Sequence, residues 1–244
     1  SEEFLPGGDS RLEAFLTGIK NNSMNDEGTT NPRYEVDSPP SSFNFDTMLP
    51  GRVFTMAGEE YLYLEQQGAN HMIIRHESIR GTTFIEQPQV LSNWFSGLDA
   101  EVQAMVQPVS IPAVVPHVYW GDVHSSWEGG YRWLPAGWAT NPIFNAARAD
   151  RTTVNSSGTP QAFALSLADV VHLSTETGPF PNIFLRASAR NSWWWTRTRS
   201  RDGEYPLHWL VYGRAPRFGE LHGQLGGGHI EDEGGVRPAI IIGQ

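Results

Sequence analysis

The sequence predicts an α+β domain with long irregular loops. Residues 49–79 contain three strand patterns separated by turn residues, and residues 87–108 contain two short helix patterns. Further strand patterns return toward the C-terminus. Short mixed strands that flank helical regions are typical of α+β domains. An all-β domain with small helices is the near alternative.

The first 45 residues are predicted to form a short helix and an extended arm. Ser10 and Glu13 fit the S-x-x-E capping box that begins many helices. The apolar positions on one face of this helix are Leu12, Phe15, Leu16 and Ile19. Residues 21–45 are polar and contain prolines, which is typical of a linker. Because a lone amphipathic helix must bury its apolar face, we expect residues 1–45 to dock on the main domain, residues 46–244, or to join copies of the chain.

The first elements of the main domain are bounded by turn residues and helix breakers. The three strands turn at Ala57–Gly58 and at Gly68–Asn70. Gly97 separates the two helices, and Pro108 ends the second. Residues 108–160 are rich in Pro, Gly, Trp and Asn without a clear period. Such a long irregular stretch inside a domain is often functional.

The second half of the domain is predicted to alternate strands with one helix. The segment "FALSLADVV" indicates a strand that runs into a helix at Ser166, with Asp169 as the capping acid. Strands are then predicted in "NSWWWTRTR", "HWLVYGR" and "VRPAIII". Successive strand side chains point to opposite faces, so Trp194 faces the core while Trp193 and Trp195 face outward, or the reverse.

Composition excludes several classes of function. The 244 residues carry 17 Lys and Arg against 27 Asp and Glu, a net charge of −10, which disfavours a nucleic-acid partner. The absence of cysteine excludes disulfides, thiolate catalysis and Cys-ligated metals. No apolar run is long enough to span a membrane.

Sequence motifs for catalysis and for cofactors are also missing. The chain contains no phosphate-binding P-loop, no H-E-x-x-H and no G-x-S-x-G. Glu231, Asp232 and Glu233 follow glycines and offer calcium ligands, but a solvated acidic turn explains them better. We therefore expect no cofactor, no metal and no enzymatic activity.

The order of five motifs resembles a family of bacterial and phage domains with a C-type-lectin-like fold. The motifs are "LPGRVFTM", "LSNWFSGLDAEVQAMV", "FALSLADVV", "WWTRTRS" from Trp194 to Ser200, and "GVRPAII" from Gly235 to Ile241. The chain departs from the family pattern at Thr196 and Arg199 and in the inserted segment 108–160.

This resemblance implies a fold similar to that of formylglycine-generating enzymes and of the variable proteins of diversity-generating retroelements. In those variable proteins a rigid scaffold presents a diversified C-terminal segment to a partner. The resemblance makes Trp194 and Trp195 structural and assigns Arg197 to a buried carboxylate, which a guanidinium binds well. The formylglycine-generating reaction uses a pair of cysteines, which this chain lacks.

The predicted ligand-binding residues are concentrated after the tryptophans. Arg197, Arg199 and Arg201 share one strand face by the period of two, and a solvated charged face is the simpler explanation for the last two. Tyr, Trp and Arg are enriched at binding hot spots. The predicted set is Arg199, Arg201, Tyr205, His208, Trp209, Tyr212, Arg214, Arg217, Phe218 and His222. An ordinary loop-rich surface is the competing interpretation.

The sequence therefore favours a displayed binding module on a virion or cell surface, with a protein or glycan receptor as its partner. A structural virion or appendage subunit without a ligand is the first alternative. An enzyme of unknown reaction is the second, although no nucleophile and base can be located together.

Overall fold

The computed structural model describes residues 31–33, 35–112, 118, 127–128, 134–188, 192–202, 205–213, 219–225 and 234–244. For residues 127–128, 201–202, 205–208 and 223–225 only the backbone is described. In this part of the chain no helix has the length and apolar character needed to cross a membrane.

The described strands form two main sheets. The strands are β1 Val53–Met56, β2 Glu59–Gln67, β3 Asn70–Arg75, β4 Ile79–Arg80, β5 Pro108–Val109, β6 Trp127–Glu128, β7 Leu134–Pro135, β8 Thr159–Pro160, β9 Trp194–Asp202, β10 Tyr205–Val211, β11 Leu221–Leu225, β12 Gly235–Val236 and β13 Ala239–Gly243. The first sheet has the order β1-β2-β3-β13 and the second the order β11-β10-β9-β12-β4. The short strands β5 and β8 pair with each other, as do β6 and β7.

Short helices connect these strands, which confirms the α+β class. They are α1 Gln87–Ser96, α2 Ala100–Met105, α3 Asn145–Ala149, α4 Leu167–Leu173 and α5 Ile183–Arg186. The predicted break at Gly97 separates α1 from α2. The predicted capping box is also confirmed, because the Ser166 hydroxyl accepts from the Asp169 amide and the Asp169 carboxylate accepts from the Ser166 amide.

The last strand of the chain is buried on both faces. Ala239 and Ile241 of β13 pack in one apolar cluster with Trp194. Ile240 and Ile242 point the other way, into a second cluster that includes Phe54. A strand that is buried on both faces has an unbroken apolar sequence rather than an alternating one, as "AIII" does.

The chain before residue 46 belongs to this folded body as far as it is described. Phe43 and Phe45 are buried against the first sheet, in the same cluster as Phe54. Ser38 forms an isolated bridge with Met56. The predicted domain boundary at residue 46 therefore lies too late, because aromatic side chains within the polar arm complete the core. The predicted helix of residues 10–19 lies outside the described residues.

Arg237 joins the two sheets at the connection between β12 and β13. Its guanidinium donates to the backbone carbonyls of Arg75 and His76 at 2.8 and 2.6 Å. The same group lies over the Trp194 ring, 5.1 Å from its centroid. Burial, together with the positive charge of Arg75, lowers the pKa of Arg237 to about 9 against the opposing effect of Glu77. The arginine thus remains charged at neutral pH inside the core.

Candidate functional site

Three consecutive tryptophans, Trp193 to Trp195, pack on both faces of the sheet at the start of β9. Trp194 packs in the main apolar cluster, while Trp193 and Trp195 lie on the opposite face in a smaller cluster with Phe84. The indole N–H of Trp194 donates to the carbonyl of Arg186, and that of Trp195 to the carbonyl of Thr82. The predicted alternation is correct, but neither face is open to solvent. A sheet covered on both sides is a stiff support for the hairpin that β9 leads into.

Trp209 was predicted to contact a ligand, and the structure contradicts this. Its side chain is fully buried in the cluster that contains Trp194, and its indole N–H donates to the carbonyl of Val118 at 3.2 Å. The alternating positions of β10 enter different clusters, with Trp209 on one face and Leu210 on the other. Because both faces of β10 are covered at residues 209–211, an aromatic residue at position 209 fills the core whichever way it points.

Arg197 binds a buried carboxylate, as the family resemblance implied. Its Nη2 and Nε donate to the two carboxylate oxygens of Asp150 at 2.8 and 3.2 Å. Its Nη1 donates to the Thr152 hydroxyl and the Ala164 carbonyl at 2.7 and 3.0 Å. A further contact joins Nη2 to the Asp150 carbonyl. The five N–H groups of the guanidinium are thus all used, which fixes the middle of β9 to the loop after α3.

The end of the β10–β11 hairpin is closed by backbone hydrogen bonds. The Tyr212 amide donates to the Glu220 carbonyl, and the Gly219 amide donates to the Tyr212 carbonyl, both at 2.8 Å. The rings of Tyr212 and His222 stack with their centroids 5.4 Å apart, and both side chains are half-buried. Residues 214–218 connect the two closed ends and lie outside the described residues.

The residue at each end of this connection is a glycine that lies directly against the backbone of another segment. A Cβ on Gly213 would overlap the backbone of Ser192, immediately before the tryptophans. A Cβ on Gly219 would overlap the carbonyl of Ile183, and its φ of +73° is one that other residues rarely adopt. These contacts fix the positions of Gly213 and Gly219, the described residues on either side of residues 214–218. The sequence shows the glycines, but it does not show which backbone lies against them.

Two buried opposite charges interact near the same hairpin end. Glu220 and Arg186 are both buried. Burial lowers the pKa of Arg186 to about 9, and the negative charge of Glu220 opposes that shift. The Arg186 carbonyl also accepts the Trp194 indole, so the hairpin end and β9 share one support.

The remaining predicted site residues fall into three groups. Arg199 is exposed at the edge of a cleft, with its guanidinium carbon 5.8 Å from the centroid of the Phe84 ring. Only the backbone is described for Arg201, Tyr205 and His208, which lie along the paired strands β9 and β10. The predicted site residues Arg214, Arg217 and Phe218 lie outside the described part of the chain, as does the acidic triplet Glu231, Asp232 and Glu233, for which a solvated turn was preferred.

The described residues bring together no cluster of three His, Cys, Asp or Glu side chains that could hold a metal ion. Comparison of the chain with protein-family models, with curated proteins and with solved structures finds no match.

Proposed function

We propose that the protein is a non-catalytic binding protein that displays residues 214–218 to a protein or glycan receptor on a cell surface. The observation that carries this proposal is the fixation of both ends of the segment by Gly213 and Gly219. The segment contains Arg214, Arg217 and Phe218 within five positions.

Fixed ends favour binding because they reduce the conformational entropy lost when a receptor orders the segment. Arginine and aromatic side chains supply large contact areas and are enriched at hot spots. Tyr212 precedes the segment and His222 follows it. Both side chains are half-buried, and their stacked rings would add to the proposed contact with the receptor.

We assign the finer fold class as C-type-lectin-like and the location as a virion or cell surface. The pairing of β13 with β3 supports this class, because it joins the C-terminal end of the domain to its first sheet. The helices α1 and α2 follow that sheet, and the hairpin β10–β11 extends the second sheet. A variable protein of a diversity-generating retroelement would place its changing side chains on such a hairpin and keep the buried tryptophans constant.

The proposal is tested by screening the protein on a glycan array and on bacterial cells. The triple variant Arg214→Ala, Arg217→Ala, Phe218→Ala is expected to bind at least about 100-fold more weakly, since a single hot-spot side chain contributes about 2 kcal/mol or more. Its thermal unfolding temperature is expected to stay unchanged, because the closing hydrogen bonds of the hairpin involve none of these side chains.

A matched control removes two arginines and one apolar side chain elsewhere. Arg33 and Arg80 are exposed, and Leu49 is 45% exposed, so changing all three to Ala removes two positive charges and one apolar group. This control should bind like the unmodified protein. Equal binding by the two triple variants would contradict the proposal. Loss of self-association in place of loss of binding, measured by sedimentation, would favour a structural subunit.

A further inference from the structure

A cleft of about 790 Å³ lies between α1 and the segment from Thr159 to Ala164. One wall is apolar and comes from α1 and the residues before it: Phe84, Ile85, Pro88, Leu91 and Phe95. Ile85 is 80% exposed, the largest exposure among the large hydrophobic side chains of the described residues. Clefts of this volume accommodate small organic ligands and are typically apolar with a few polar groups.

The charge of this cleft is opposite to that of the chain. Among the described residues its two charged lining residues are Arg197 and Arg199, and none of the described carboxylates lines it, although the chain has 27 acidic residues. Arg197 is neutralised by its ion pair with Asp150, which is not among the lining residues. The charge offered to a ligand is therefore that of Arg199.

A backbone hydrogen bond and an aromatic contact position Arg199 at the cleft edge. Its backbone carbonyl accepts from the Val118 amide at 3.0 Å, which fixes the strand at this residue. Its guanidinium stacks over Phe84, and Trp195 supports that ring edge-on with the ring centroids 5.8 Å apart. Among the described residues no carboxylate pairs with the Arg199 side chain. The Phe84 ring holds the exposed guanidinium beside the apolar wall, and a bound ligand that covers the charge there would strengthen its attraction for an anion.

We propose that the cleft binds a small carboxylate with an apolar body, whose carboxylate pairs with Arg199 while its hydrocarbon part packs along α1. A planar guanidinium matches a carboxylate with two parallel hydrogen bonds. The apolar wall supplies the remaining contact. This ligand site is separate from the receptor contact proposed for residues 214–218 and does not depend on it.

Isothermal titration calorimetry with decanoate, and with decanol as its neutral counterpart, tests the site. Decanoate should bind at one site per chain and at least about tenfold more tightly than decanol, because only decanoate carries a charge that can pair with Arg199. Arg199→Gln should weaken decanoate by about tenfold or more and leave decanol unchanged. Arg80→Gln removes an exposed arginine that does not line the cleft, and it should change neither ligand.

A second pair of variants tests the position of the apolar body. Ser92 and Asn93 are adjacent and exposed on α1, but only Ser92 lines the cleft. Ser92→Trp should abolish the binding of both ligands, whereas Asn93→Trp should leave it intact. Decanoate binding that Arg199→Gln or Ser92→Trp leaves unchanged, or no decanoate binding at all, would overturn the site. Neither result affects the receptor proposal, because receptor binding is measured with different ligands and variants.

Discussion

Replacement of Arg197 by Met is expected to lower the free energy of unfolding by about 3–5 kcal/mol, the cost of removing one partner from a buried ion pair. The side chains of Arg197 and Asp150 are only 5% and 4% exposed. The substitution leaves the Asp150 carboxylate and the Ala164 carbonyl without the guanidinium. Methionine fills much of the volume, so the loss reports the charge and hydrogen bonds rather than a cavity.

The magnitude follows from the burial of the pair. An exposed pair contributes about 0–1 kcal/mol because water solvates each partner when the other is removed. Here water does not reach Asp150 to replace the lost donors. Arg197→Met combined with Asp150→Asn should therefore lose less than the sum of the single changes, with a coupling of about 2–3 kcal/mol for neighbours in one network.

Urea unfolding followed by tryptophan fluorescence and by circular dichroism measures these differences, and coincident transitions verify two-state behaviour. Arg80→Met provides the control, because Arg80 is exposed and its replacement should change stability by less than about 0.5 kcal/mol. A loss below about 1 kcal/mol for Arg197→Met would refute the assignment of a buried anchor.

Three further perturbations test the frame around the candidate site. Burial lowers the pKa of His71 from its usual 6.5, although Asp46 opposes the shift, so the unfolded chain binds the proton more readily than the folded one. The free energy of unfolding should therefore fall as the pH drops below about 6.5. Urea unfolding measured across pH should show a flatter dependence for His71→Gln. Gly219→Ala should lower the thermal unfolding temperature far more than Gly58→Ala, because both glycines have positive φ but only a Cβ at position 219 would overlap backbone atoms. Equal losses would contradict the close contact of Gly219 with Ile183. Arg237→Met should cost about 2–4 kcal/mol in calorimetric unfolding by leaving two partly buried carbonyls without the guanidinium donor, and a loss under about 0.5 kcal/mol would contradict its role between the sheets.

Local patterns predicted the features that depend on neighbouring residues. The capping box at Ser166 and Asp169 requires only a spacing of three, and the strand at Trp194 requires only the alternation of side chains. Both appear in the structure where the sequence indicated them. The carboxylate partner of Arg197 was predicted as a type of residue, but its identity as Asp150, 47 positions earlier, required the fold.

Features that depend on distant contacts were not predictable from local pattern. Trp209 has the residue type of a binding hot spot, and only the coverage of both faces of β10 shows that it is a core residue. The prolines near residue 40 suggested a linker, whereas Phe43 and Phe45 complete the core. The cleft beside Arg199 is assembled from α1, β8 and β9, which are far apart in the sequence.

We propose that the sheet covered on both sides supports the C-terminal hairpin, and that the hairpin presents Arg214 and Arg217 to an external receptor. Phenylglyoxal modification followed by mass spectrometry measures the accessibility of each arginine directly. Arg214 and Arg217 should react as fast as the exposed Arg80 and should become protected when the bound glycan or cells are added. Reaction as slow as that of the buried Arg186 and Arg197 would contradict the claim.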